Sequence, residues 1–232
     1  MKKRLIVNAD DFGRNVENTN ATIIAHKYGI LSSTTIMVYR HAFGLACKLI
    51  KENPTLKTGL HIDLDYIFMM KEQNRFYKRL VKITKSMEIK IKDEINKQVD
   101  KFLKAGFSLT HLDSHHHAHM HPDVLPIVVA KAKELQVPIR FYNGYYDKSK
   151  FFYKNLEKEV LIPILKHFCV KYPYFLIDKF DLDSDYAVGE VMMHPGFREI
   201  WRTYDTARCL DPELKRKIEE KNIEIISFAD LK

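Results

Sequence analysis

Leu5-Ile6-Val7-Asn8-Ala9-Asp10-Asp11-Phe12-Gly13 is the stretch on which the reading of the fold turns. Three apolar residues run into Asn8-Ala9-Asp10-Asp11, which stops them, so the segment reads as a first strand that ends on two acids. Gly13 then permits a tight backbone turn. Downstream the pattern alternates helix and strand to the end of the chain. Residues 17–27 have helical spacing, with Ile23, Ile24 and the aliphatic part of Lys27 close to one face and Gly29 as the stop. Strand signals recur at 33–38, 56–64, 109–113, 138–141, 175–177, 190–193 and 223–227, and helical signals at 42–52, 89–105, 123–135, 155–170 and 211–221. The strongest helix is 89–105, where Ile91, Ile95, Val99 and Phe102 form one apolar face and Gly106 follows. The stretch 65–87, rich in Phe, Met, Lys and Arg, is less regular. Seven or eight strands alternating with helices, without linker, repeat or low-complexity block, imply one α/β domain over 1–232. Its parallel sheet is either doubly wound or closed as a (β/α) barrel.

Composition sets the outer bounds. A hydrophobic fraction of 46% belongs to a folded globular chain rather than a disordered one. No apolar run approaches the roughly 18 residues that a membrane helix needs, and Met-Lys-Lys-Arg leads into too short an apolar run for a signal peptide. Three widely spaced cysteines, Cys47, Cys169 and Cys209, argue against a disulfide framework or a cysteine zinc site. These features make a reduced, cytoplasmic protein the expectation. The formal charge of +8 is spread along the chain, with only Lys2-Lys3-Arg4 and Lys215-Arg216-Lys217 as basic runs. No nucleic-acid motif accompanies it, so neither nucleic acid nor membrane is an expected partner.

The 11 histidines are more informative, because six of them fall between His111 and His121. The ionisable residues of interest share one address. Asp10 and Asp11 follow the first strand, His61 and Asp63 lie near the end of the third, Asp113 and His115 end the fourth, Arg140 sits near the end of the fifth, and His194 closes Glu190-Val-Met-Met. Carboxyl ends of parallel strands form a common rim where ligands bind. Successive side chains of an extended strand point opposite ways, so one of the two acids can bind a metal while the other stays free as a base. Imidazoles with a carboxylate suit Zn²⁺, Mn²⁺, Co²⁺, Ni²⁺ or Fe²⁺, whereas Mg²⁺ prefers oxygen ligands.

Four motifs, Leu5 to Gly13, Gly59-Leu60-His61, Thr110 to His119 and Glu190 to Pro195, resemble in order and spacing those of the YdjC-like (ChbG/HpnK) carbohydrate deacetylases. The resemblance extends from about residue 3 to residue 228. It implies a distorted (β/α) barrel of the polysaccharide-deacetylase type, commonly a homodimer, that removes the N-acetyl group of an acetylated amino sugar or chitooligosaccharide with one divalent metal ion, usually described as Mg²⁺. By position, Asp11, His61 and His115 resemble the metal ligands, Asp10 the catalytic base and His194 the general acid, and Arg140 resembles a substrate-binding arginine near the site. One segment departs from the family pattern. Where the family continues its Gly-Leu-His motif with a Leu-Thr and a Gly-Pro turn, this chain has Ile62-Asp63-Leu64-Asp65-Tyr66, a change that spares the metal residues and falls on the wall of the sugar pocket. A metal-dependent phosphoesterase and a non-catalytic metal- or sugar-binding protein are the competing readings.

Overall fold

In the computed structural model, which describes residues 2–68, 82–141, 160–175 and 180–231, the opening apolar run grows into a nine-residue strand, β1 (Arg4–Phe12), buried from Leu5 to Phe12. A strand buried along its length belongs inside a parallel sheet covered on both faces. Six others join it: β2 (Ser33–Ile36), β3 (Lys57–Ile62), β4 (Leu112–Ser114), β5 (Tyr174–Phe175), β6 (Val188–Met193) and β7 (Glu224–Ile226). Their order is β4-β3-β2-β1-β6-β5, with β7 also on β1. All pairings are parallel, so every strand ends at the same rim.

One edge of β1 takes β6 from Arg4 to Ala9. Leu5 and Ile6 pair at once with β6 and β7, and Asn8 and Ala9 pair at once with β6 and β2. Because a strand has two edges, β7 and β2 must share the other one. The sheet curls. Leu112 bridges to Ile139 beyond β4, and the Ile139 amide donates to the Lys171 carbonyl, 3.1 Å away and just ahead of β5. The two ends of the sheet thus swing toward each other, which sets aside the open, doubly wound alternative and gives the distorted barrel.

Seven helices are described: α1 (Val16–Tyr28), α2 (Phe43–Glu52), α3 (Lys85–Lys104), α4 (Leu125–Glu134), α5 (Ile162–Phe168), α6 (Ile200–Leu210) and α7 (Pro212–Glu220). Asn15 caps α1 by accepting from the Asn18 amide, and Thr84 caps α3 through the Met87 amide. The α3 face predicted from Ile91, Ile95, Val99 and Phe102 is buried. Two expectations change, while the stretch expected to be helical, 155–170, is helical over 160–168 among the described residues. The strand at 138–141 contracts to the single bridge at Ile139. In the helical stretch 155–170, α5 begins beside Pro163, where a missing N–H costs nothing; residues 155–159 lie outside the described residues, as do 69–81 of the irregular stretch and 176–177 of the strand at 175–177. Helix α6 has no counterpart among the helical signals of the sequence. It buries Arg202, Asp205, Thr206 and Cys209 and exposes Ile200, Trp201 and Tyr204, so it carries no apolar period facing the core. No helix among the described residues is long and apolar enough to cross a membrane.

Candidate metal centre and active site

The pair of acids owes its geometry to a bulge. Between Ala9↔Thr34 and Phe12↔Ile36 the register of β1 slips against β2, so that β1 carries one extra residue there. Asp11 takes φ +64, in the left-handed region that Asp tolerates better than most side chains, and Gly13 follows at φ +84. Bulges re-aim side chains near functional sites, and here the two carboxylates part company.

Asp11 is buried and works with both oxygens. Oδ1 faces His115 Nδ1 at 3.0 Å and His61 Nε2 at 3.6 Å. Oδ2 accepts from Arg202 Nη2 at 2.5 Å and from Arg14 Nη1 at 3.1 Å. Burial alone would raise the Asp11 pKa, but the imidazoles of His115, His194 and His61 hold it well below the usual carboxylate range.

His61, at the end of β3, is fixed from behind. Its Nδ1 lies 2.7 Å from Asp113 Oδ1 on β4 and 3.2 Å from Thr35 Oγ1. Thr35 also donates to Asp113 Oδ2 at 3.0 Å. A carboxylate on one ring nitrogen fixes the tautomer and turns the other nitrogen toward a metal; that other nitrogen is the Nε2 facing Asp11. Burial works against a charged His61, yet Asp113, Asp10 and Asp11 outweigh it and raise its pKa to about 9.

Asp10 points into a different shell. Its two oxygens accept from Arg140 Nη1 and Nη2, each at 2.7 Å, and Oδ1 also accepts from Asn8 Nδ2 at 3.0 Å. His194 Nε2 stands 3.9 Å from Oδ2. Desolvation is opposed by Arg140, His61 and His194, and the carboxyl is held far below its ordinary pKa. His194 in turn is steadied by Asp205, which accepts from its backbone amide at 2.9 Å and lies 3.7 Å from Nδ1.

The metal expectation can be tested on this geometry. Asp11, His61 and His115 each offer one ligand atom within 4.8 Å of the others. Asp11 Oδ1 is buried and receives no hydrogen bond, although two imidazole nitrogens face it. An orphaned carboxylate oxygen in a buried cage of neutral-capable nitrogens is costly unless a cation completes it. The trio therefore fits a divalent metal. The cage does not distinguish between ions, although two imidazoles and one carboxylate resemble a transition-metal donor set more than the oxygen shell of Mg²⁺.

All six residues expected at the site come together, but Arg140 stands elsewhere than a substrate contact would. It is fully buried, and besides Asp10 it binds Asp113 Oδ2 at 2.8 Å and Glu190 Oε1 at 2.6 Å. Its place is behind Asp10, knitting three carboxylates of three strands. Of these, Glu190 is pushed up to about 7 by burial, against the pull of Arg140. The sequence places Asp113 on the rim without marking a role for it, and carries no signal for Glu190, Thr35, Asp205 or Arg202. Asp113 was findable, since it stands two residues before His115 on the strand paired with His61; Arg202 lies in a helix that left no apolar signal.

The other rim residues have structural duties. Asp63 accepts from Arg40 at 2.5 Å and receives Gln98 at its backbone, while Tyr66 donates to Glu94 at 2.5 Å, so the divergent 62–66 segment is tied to α3. Asp65 Oδ2 stands 3.9 Å from His115 Nε2 and 3.5 Å from His116 Nε2. In the histidine run, His111 stacks on Phe228 with centroids 3.7 Å apart, and burial keeps it neutral, at about 3. His119 meets Ser114 Oγ at 2.5 Å and the Arg140 carbonyl at 3.0 Å; burial lowers it to about 4. His121 accepts from the Asp123 amide. Only His115 of the run reaches Asp11.

The curled parallel sheet, with its polar cluster at the strand ends, has the α/β fold seen in solved polysaccharide-deacetylase-type structures. The Xyl-CE4 domain of a multidomain xylanase from the hindgut metagenome of Trinervitermes trinervoides superposes with a TM-score of 0.51 at 9% identity, over 100% of this chain and 90% of that one, a likeness of fold alone. The chain belongs to the YdjC-like protein family, whose sequence model matches residues 4–220. A carbohydrate deacetylase of Brevibacillus brevis is 31% identical over 98% of this chain and 99% of its own. A crystal structure from Enterococcus faecalis V583, provisionally named a cellobiose-phosphate cleavage protein, matches with a TM-score of 0.78 and 25% identity over 100% of this chain and 99% of that one.

Proposed function

We propose that the protein is a metal-dependent carbohydrate deacetylase that hydrolyses the N-acetyl group of an acetylated amino sugar. The observation that carries this reading is the orphaned Asp11 Oδ1 in its cage of His61 and His115, one residue from a carboxylate locked in the ionised form. The kinship with curated carbohydrate deacetylases of matching length supports the substrate class.

Asp11, His61 and His115 would hold the cation, and Asp113 keeps His61 Nε2 turned toward Asp11. A divalent ion held there would supply Lewis acidity toward the acetyl carbonyl oxygen and toward water. Asp10, ionised at neutral pH, accepts the proton of the attacking water at Oδ2. Arg140 fixes both Asp10 oxygens, so the base does not swing away, and Arg140 is a positioning residue rather than a substrate contact. His194 Nε2, across from Asp10, donates to the nitrogen of the departing sugar amine. Water and amide thus become acetate and free amine, with the proton inventory closed between Asp10 and His194.

The test is acetate release from a panel of N-acetylated mono- and oligosaccharides with metal add-back, beside a colourimetric phosphate ester. Metal-dependent acetate release, reduced about 10²–10⁴-fold in Asp10→Asn with metal content unchanged, is the expected result. Turnover of the phosphate ester alone, or wild-type deacetylation by Asp10→Asn, refutes the assignment.

A further inference from the structure

Helix α6 wears its amphipathicity reversed. Its buried residues include Arg202 and Asp205, which brace Asp11 and His194, whereas Ile200, Trp201 and Tyr204 are 89%, 48% and 60% exposed. Large apolar groups left open together beside a polar site mark a place where a ligand lands.

Trp201 is the best placed of them. Its indole meets the His194 imidazole edge-on, with centroids 5.3 Å apart and planes at 68°. The Arg202 guanidinium lies over the ring, 4.4 Å from its centroid, and continues to Asp11 Oδ2. Two site residues therefore hold the indole still, and its remaining surface stays open one ring away from Asp10. A pyranose presents hydroxyls at its rim and C–H bonds across its face, so a fixed, half-exposed aromatic plane beside polar groups complements it.

We propose that Trp201 is the sugar-stacking platform of this site: the ring that carries the N-acetyl group lays its C–H face on the indole, which sets that group in front of Asp10 and His194. The inference rests on the deacetylase reading for the chemistry but not for the binding, and the two separate experimentally.

Trp201 is the single tryptophan of the chain, so its emission reports on the platform alone. Metal-loaded Asp10→Asn protein is titrated with N,N′-diacetylchitobiose and, as a control without a sugar ring, with acetamide. A saturable emission change with the sugar and none with acetamide is expected. In steady-state assays of otherwise wild-type enzyme, Trp201→Leu raises KM roughly tenfold with kcat changed far less, and Trp201→Phe retains most of the affinity. A merely structural indole would instead lower kcat and metal content through Arg202. Acetate release with no emission change and an unaltered KM in Trp201→Leu overturns the platform and leaves the deacetylase reading standing. A saturable emission change without acetate release from any sugar supports the platform and overturns the deacetylase reading. Silence in both assays overturns both.

Discussion

Replacing Asp113 with Asn separates the two things that carboxylate does to His61. With Asp113 in place, His61 titrates at about 9, so at pH 7 roughly one molecule in a hundred has the imidazole free of its proton. A metal arriving at pH 7 must displace that proton, and apparent affinity therefore climbs about tenfold per pH unit up to about 9. The Asn side chain can still accept from Nδ1 but lacks the charge, and His61 moves back toward its ordinary value of about 6.5. Loss of an orienting carboxylate typically costs about 10- to 100-fold in metal affinity. Above pH 9 that loss appears in full; near pH 7 the relief from proton competition, also about a hundredfold, offsets most of it. The two affinity profiles should converge toward neutral pH and diverge above it. Calorimetric titration with Zn²⁺ or Mn²⁺ from pH 6.5 to 9.5, in buffers of different ionisation enthalpy, measures both the affinity and the proton released. Because Asp113 is buried against Arg140 and Thr35, a thermal melt of the same sample establishes that the variant is folded. Parallel profiles, or a wild-type protein that releases no proton on binding at pH 7, would refute the reasoning.

Three further outcomes follow from the same cluster. In metal-free protein the melting temperature should fall as pH rises from about 6.5 to about 9: His61 is raised above its unfolded value, so its contribution is complete below 6.5 and vanishes through 9, and Glu190, raised to about 7, acts in the same direction. Scanning calorimetry in chelator checks this, and a rising melting temperature across that window would contradict it. Arg140→Met strands Asp10, Asp113 and Glu190 in the interior and should cost about 3–5 kcal/mol at neutral pH, with part of the loss recovered in mild acid as the carboxyls protonate; urea unfolding at pH 7 and pH 5 gives both numbers. Gly59→Ala would place a Cβ 2.4 Å from His111 Nδ1 and 2.7 Å from its carbonyl oxygen, and His111, stacked on Phe228, has nowhere to go, so a loss of at least about 1–3 kcal/mol is expected in the same assay.

Much of this protein is legible in one dimension. Apolar runs that stop at acids or histidines define buried strands and their carboxyl ends, because a parallel sheet excludes water from both faces of its strands. That rule is enough to bring Asp10, Asp11, His61, His115, Arg140 and His194 to one rim, and the 3.6-residue period is enough to find α3. Packing decided the rest. Helix α6 turns Arg202 and Asp205 inward toward the charged cluster and its apolar residues outward, so hydrophobic periodicity, which reports burial against an apolar core, is blind to it. The bulge that separates Asp10 from Asp11 exists only as a slip between two strands. Arg140 reads as a rim cation until three carboxylates from β1, β4 and β6 close around it and bury it. The histidine run shows the same limit at the level of single atoms. Residue type makes each imidazole a candidate ligand, but whether it binds a metal depends on which nitrogen its neighbours occupy: Phe228 takes the face of His111, Ser114 and a carbonyl take both nitrogens of His119, and only His115 is left facing Asp11.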